Sequence, residues 1–443
     1  MTRSVRVRLA VTAGLAASLT LAACGQSENM GGQGGGDGGG GGGGGDGQVQ
    51  LRYAWWGSGE RQQINEQLIE MFEADHPNVD IVPSVADWGG YWDKLSTTVA
   101  GGDTPDIMMQ EERYLREYGS RGVIADLSQH DIATDAIDPT ILAGGQFDGG
   151  LYGVPTGVNV YSFLANPRVF EKAGVEMPDD KTWSWEEYQQ LAAEIAENSP
   201  EGVYAMQDHG NNEAGFNVFA RQHGQSLYTE DGELGYEDEL LVEWWNVALN
   251  LQQEGAQPPA SRSSELVNVG PEQSLMGQGD AAMSVWWSNS ISPLESASGD
   301  ELQLLRWPGE STEERPGMYY KPAMFVSMSA TTDHPEEAAE FIDFMVDSVE
   351  AGEVILSDRG LAANLDVREA TADMLPEPEQ RAAAFLKDLE DEIVDGPPVP
   401  PVGSGEVQDI LTRYNDEVLF GRMTPEEAAA KFREEVEAAI EVP

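Results

Sequence analysis

From Val49 the chain alternates between apolar and polar positions. Val49, Leu51 and Tyr53 fall on one face of a short strand that runs into "AWWGSGE". Beyond it Ile64, Leu68, Met71 and Phe72 form one stripe at helical spacing. "HPNVDIVPSV" stops that helix at a Pro-Asn turn and opens a second strand. "YWDKLSTTVAGGDTPDIMMQ" then gives a helix, a Gly-Gly stop and a third strand, Ile107 to Met109. Strand, helix, strand, helix, strand predicts an α/β unit with a parallel sheet. Ligands bind such sheets just past the carboxyl ends of the strands. That rule puts Trp55-Trp56, Asp87-Trp88 and Gln110-Glu111 at one rim.

The later pattern is mixed. An Asp-Gly-Gly turn leads into "LYGVPTGVNVYSFLAN", which reads as extended chain passing a domain boundary. "TWSWEEYQQLAAEIAE" opens a helix with a capping box, Ser184 with Glu187. "TEDGELGY" reads as a hairpin around Asp231-Gly232; its acids lack the spacing of a calcium loop. Trp244-Trp245 share a helical stripe with Leu241 and Leu249, which predicts core packing. A strand is expected at Ala281 to Val285, with Trp286-Trp287 at its exit, and another in "YYKPAMFVSMSA". Two late helices begin at Pro335 and at Thr424, the second capped with Glu427.

The amino end is different in kind. Arg3, Arg6 and Arg8 precede the apolar run "LAVTAGLAASLTLAAC", the pattern of a secretory signal over residues 1–23. "LAAC" looks like a lipobox, which makes Cys24, the single cysteine, the expected lipidation site. Residues 24–48 then form a tether: fourteen of the seventeen residues from Gly31 to Gly47 are glycine. A flexible coil of ~20 residues has a root-mean-square reach of roughly 25 Å.

Charge and missing motifs narrow the function classes. There are 78 acidic residues against 25 basic, a net charge of −53. Nucleic acid is therefore not an expected partner, and anionic lipid would not hold the surface electrostatically. No GxSxG elbow, HExxH pair or Walker loop occurs, and the five histidines show no ligand spacing. No metal and no cofactor is expected. With so many carboxylates, an acid pair by itself does not argue for a glycosidase.

"GGDTPDIMM", "GLYGVPTGVNVYSFLANPRVFEKAG", "TWSWEEY", "LMGQGDAAM" and "HPEEAAEFIDFMVDSVEAGEVILSDRGLAAN", in that order, resemble extracellular solute-binding protein family 1 of ABC sugar importers, the family of the maltose-binding protein. The resemblance implies a two-lobe, periplasmic-binding-protein-like α/β fold (type II) with the ligand between the lobes. It implies crossovers near Val154–Val158, Ser284–Trp287 and Met318–Ser327. The amino lobe would be residues 49–157 plus about 284–325, and the carboxyl lobe about 158–283 plus 326–443. The implied role is to capture a sugar, without bond chemistry, and deliver it to an ABC permease. The protein would act as a monomer held to the membrane through Cys24. A lipoprotein serving a sensor, or a carbohydrate-active enzyme, are the alternatives.

A sugar presents apolar C–H faces and a rim of hydroxyls. Aromatic rings cover the faces, and planar polar side chains satisfy the hydroxyls. Matched to the family's contact regions, the expected ligand set is Trp55, Trp56, Ser58 and Glu60 after the first strand and Asp87 and Trp88 after the second. Gln110, Glu111 and Arg113 follow the third, Gln110 standing where the maltose-binding protein has Trp. Asn159 and Tyr161 lie at the first crossover and Asn212 and Glu213 in the carboxyl lobe. Trp286, Trp287 and Ser288 lie at the second crossover, and Tyr319 and Lys321 at the third. Alternation predicts that only one ring of Trp55-Trp56 faces the cleft.

Overall fold

A computed structural model describes residues 48–57, 59–267, 269–393 and 395–440. The signal, Cys24, the tether up to residue 47 and Ser58 lie outside the described residues. The first lobe is built on a five-stranded sheet. Inside it Val49–Trp56 pairs in parallel with the edge strand Val79–Ala86 on one side and with the central strand Ile107–Gln110 on the other. The sheet is extended by Phe325–Met328, antiparallel to Ile107–Gln110, and beyond it by Val154–Pro155, antiparallel to Phe325–Met328. Helices cover both faces. Phe341 of Pro335–Asp347 meets Tyr53 edge-on at 5.4 Å, while Tyr91 of Trp88–Ala100 meets Trp56 at 5.2 Å.

The second lobe has a four-stranded sheet in the order Gln303–Leu305, Tyr161–Ala165, Ala281–Trp287, Tyr204–Met206. The long helix Asp238–Gln253 carries Trp244 and Trp245 fully buried, as their stripe predicts. Both indoles donate to the Gly210 carbonyl, at 3.1 and 3.2 Å. The capping boxes at Ser184 and Thr424 are formed. The Asp231-Gly232 turn is present, but it closes on a single bridge, Tyr228 to Leu234, rather than on a strand ladder.

Between the two sheets, Lys321–Pro322 and Leu361–Ala362 flank Gly157–Asn159 in a three-stranded sheet. The chain passes from the first sheet at Val154–Pro155, through this one, to the second sheet at Tyr161 within eight residues. It returns at Lys321–Pro322 and rejoins the first sheet at Phe325. The run "YYKPAMFVSM", read above as one strand, is therefore two strands in different sheets. Gly157 permits the crossing, because a Cβ there would lie 1.9 Å from the Arg359 carbonyl oxygen. The whole is a two-lobe α/β fold.

Strand pairing departs from the expected grouping at one place. Residues 284–287 do not cross over. Trp286 pairs with Ser162 and Trp287 with Tyr161 inside the second sheet, and Gln303–Leu305 joins it too. Grouping 284–325 with the first sheet therefore does not hold for these strands. An apolar run carries no record of its partner, and the antiparallel fit to the buried Tyr161–Ala165 decides the matter.

Candidate functional site

A cavity of about 540 Å³ opens between the carboxyl end of Ile107–Gln110, the short middle sheet and the second lobe. Of the expected ligand set, Glu111, Arg113, Tyr161, Asn212, Glu213, Trp286, Trp287, Tyr319 and Lys321 line it. Five different stretches of chain supply them, and the crossing strands bring them together.

Each is positioned for a local reason. Glu111 leaves its strand with extended backbone and caps the next helix, Glu112–Ser120. Its Oε2 accepts from the Arg113 N–H and from Arg113 Nε, both at 3.0 Å. Asn212 caps Glu213–Gln222 by accepting from the Gly215 N–H at 2.8 Å, which leaves Glu213 in the first turn. Trp287 stands at the end of its strand with its ring 4.8 Å from Tyr161. Lys321 Nζ sits 5.5 Å from the Trp287 ring centroid, a cation–π arrangement.

The electrostatics are concentrated on one side. Lys321 Nζ lies 3.4 Å from Glu111 and 3.3 Å from Glu112. Burial alone would raise Glu111, but Lys321 and Arg113 together outweigh it and hold that carboxyl below its ordinary value. Burial would likewise discharge Lys321, and Glu112 and Glu111 keep it protonated. Glu112 is held above its ordinary value, chiefly by burial and further by Glu111, with Lys321 opposing. Burial pushes Glu213 up to about 7, because Arg113 only partly offsets burial and the two neighbouring carboxylates add to it.

The remaining expected residues lie elsewhere. Trp55 is fully buried, its ring 4.8 Å from Tyr53. Trp56 is buried among Trp88, Tyr91 and Trp92. Neither lines the cavity, so the outward ring expected from alternation is absent. The physical reason is that Val49–Trp56 is an interior strand covered on both faces, where alternation loses its meaning. Asp87 caps the helix after it, accepting from the Gly90 N–H at 2.9 Å. Trp88 is exposed beside Trp56, and Glu60 is exposed in the first turn of its helix. Gln110 is wholly buried at its strand's end. Asn159 and Ser288 are also buried and tie the middle sheet to the second: Ser288 Oγ accepts from the Val160 N–H at 3.2 Å and reaches Asn159 Oδ1 at 3.5 Å.

Sequence reasoning missed Glu112, Asp208, Asn217, Tyr228 and Gln408, all of which line the cavity. Glu112 had a signal, its place beside Glu111 at the end of the third strand. Tyr228 was hidden in a turn, and Gln408 lies almost two hundred residues from the Asn211 carbonyl to which it donates at 2.7 Å. The proline-rich stretch Gly396–Pro400 closes one edge.

This geometry, a polar and aromatic cavity between two α/β lobes, defines a binding protein. A sequence profile described as bacterial extracellular solute-binding protein matches residues 67–383. The chain belongs to that family, and its place is extracytoplasmic. A putative binding protein of Brucella abortus is 24% identical over 379 residues, 83% of this chain and 88% of that protein. The solved family 1 extracellular solute-binding protein of Alicyclobacillus acidocaldarius is 28% identical with a TM-score of 0.72, over 88% of this chain and 98% of that one. A periplasmic oligogalacturonide-binding protein of Yersinia enterocolitica, solved with saturated digalacturonic acid, shares the fold. Its TM-score is 0.75 at 21% identity, over 89% of this chain and all of that one. Among the described residues no helix is long and apolar enough to cross a membrane.

Proposed function

We propose that the protein captures a sugar or oligosaccharide outside the cytoplasm and delivers it to the permease of an ABC importer. One observation carries the reading. The cavity sets the rings of Tyr161, Trp286, Trp287, Tyr228 and Tyr319 among glutamate, asparagine, glutamine, arginine and lysine side chains. Flat apolar faces beside planar polar groups are what a pyranose ring with its hydroxyl rim requires. A buried polar group left unpaired costs about 1–3 kcal/mol, so the polar set selects the sugar. The saccharide in the Yersinia fold relative supports the same class of ligand. The signal, the lipobox at Cys24 and the glycine tether suit a monomer held at the outer face of the membrane.

A thermal-shift screen against mono- and oligosaccharides tests this. A ligand at a hundredfold excess over its dissociation constant stabilises by ~2.7 kcal/mol. Stabilisation by peptides or polyamines and by no sugar would overturn the ligand class. Release of product during incubation would replace binding by catalysis. Genes for two membrane-spanning permeases beside this one would separate import from sensing.

A further inference from the structure

The charges lining the cavity do not balance. Glu111, Glu112, Asp208 and Glu213 face two cations, Arg113 and Lys321. Both cations are engaged: Arg113 holds Glu111, and Lys321 bridges Glu111 and Glu112. Asp208 is satisfied by neutral donors, the Gly210 N–H at 2.9 Å and the Asn415 and Asn211 amides at 2.8 and 3.3 Å.

Glu213 is the exception. Its backbone N–H is taken by Gln408 Oε1 at 3.0 Å, but its carboxylate has only the Tyr228 hydroxyl, at 3.5 Å. Among the described residues it forms no ion pair. A neutral sugar seated against this carboxylate would strip its remaining water, so that it must either take up a proton or keep a charge that Arg113 only partly offsets, both of which cost binding energy. A uronate would add a further negative charge where, among the described residues lining the cavity, no arginine or lysine is free to receive it. A ligand cation relieves the imbalance, and the neighbouring rings of Tyr228 and Tyr319 suit one. Among the described residues no three His, Cys, Asp or Glu side chains are set to hold a metal ion. An organic ammonium is the cation that fits.

We propose that the cavity takes a saccharide bearing a protonated amino group, with Glu213 as the residue that selects it. The proposal rests on the carbohydrate reading above. Calorimetric titration of the intact protein with paired probes tests it: glucosamine against glucose, galactosamine against galactose, and the glucosamine trisaccharide against cellotriose. In each pair an ammonium replaces one hydroxyl. The expected result is an amino sugar bound at least tenfold tighter than its hydroxyl partner at low salt. That preference should shrink with ionic strength and disappear in Glu213→Gln, whatever its affinity for the hydroxyl partner. Should Glu213→Gln fail to fold, the salt dependence of the unmodified protein decides. Equal affinities within every pair overturn the amine and leave the sugar standing. Tighter binding of trigalacturonate than of any amino sugar overturns the charge argument. Binding of no saccharide at all overturns the carbohydrate reading itself.

Discussion

Lys321 Nζ lies 3.3 Å from Glu112 Oε1. The lysine belongs to a two-residue strand of the sheet between the lobes, and the glutamate opens the helix that follows the first lobe's third strand. Both are largely buried, so the pair carries one charged contact from the middle sheet into the first lobe, at the wall of the cavity.

Replacing Lys321 by Met should cost about 3 kcal/mol, because it leaves Glu112 buried without an ion-pair partner and Glu111 with Arg113 alone. Urea denaturation measures the loss. Adding Glu112→Gln to Lys321→Met should recover part of it, since one orphan charge is removed. If the double variant is no more stable than the single, the contact does not couple the two residues.

Glu213 gives stability a distinctive pH dependence. Unfolded, its carboxyl titrates near 4.5; folded, burial raises it to about 7. Between those values the native state holds a proton that the unfolded chain has lost, so stability falls as pH rises through that window. The contribution is fully present below 4.5 and lost above about 7. Asp208, raised by burial from 3.8 to about 6, acts in the same direction. Urea midpoints between pH 4.5 and 7.5 should show a shallower decline in Glu213→Gln than in the unmodified protein. Superimposable curves would mean that Glu213 stays solvated.

Two tryptophans should separate binding from stability. Trp55→Ala empties a fully buried site and should cost about 3–5 kcal/mol with sugar affinity little changed in the folded fraction. Trp287→Ala removes a cavity wall and should weaken affinity by roughly tenfold or more, in line with about 1.5 kcal/mol or more for an aromatic contact surface, at a smaller cost in stability. Denaturation and calorimetry on both variants read the two effects, and the reverse assignment would place the ligand near Trp55.

Gly157→Ala should fail at the crossing. The added Cβ meets backbone, the Arg359 carbonyl, which cannot swing away as a side chain can. A large fall in melting temperature is expected, whereas Gly149→Ala, where open space surrounds the site, should show only the smaller cost of its positive φ of 82°. Equal losses would show that the middle sheet yields easily.

If Cys24 carries a lipid, Cys24→Ser should move the protein from the membrane fraction to the soluble extracytoplasmic fraction. Retention of the variant in membranes would rule out that anchor.

How far the sequence reaches is clearest at the two tryptophan pairs. Local pattern places the strand Val49–Trp56, its parallel neighbours and the helices between them, because periodicity and turn chemistry act over a few residues. Glu111, Arg113, Trp287 and Lys321 were legible as cavity residues from their places at strand ends and in family segments. Pairing over a hundred residues or more is not written locally. Trp55 and Trp56 are inside because helices close over both faces of an interior strand, and Trp286 and Trp287 belong to the second sheet because their strand fits Tyr161–Ala165. Tyr228 reaches the cavity from a turn, and Gln408 only because a helix remote in sequence packs there. The chain by itself determined the element types and the excess of negative charge. The tertiary structure decided which carboxylates meet a cation and left Glu213 without an ion pair among the described residues, because distances between distant segments are set by packing and not by spacing.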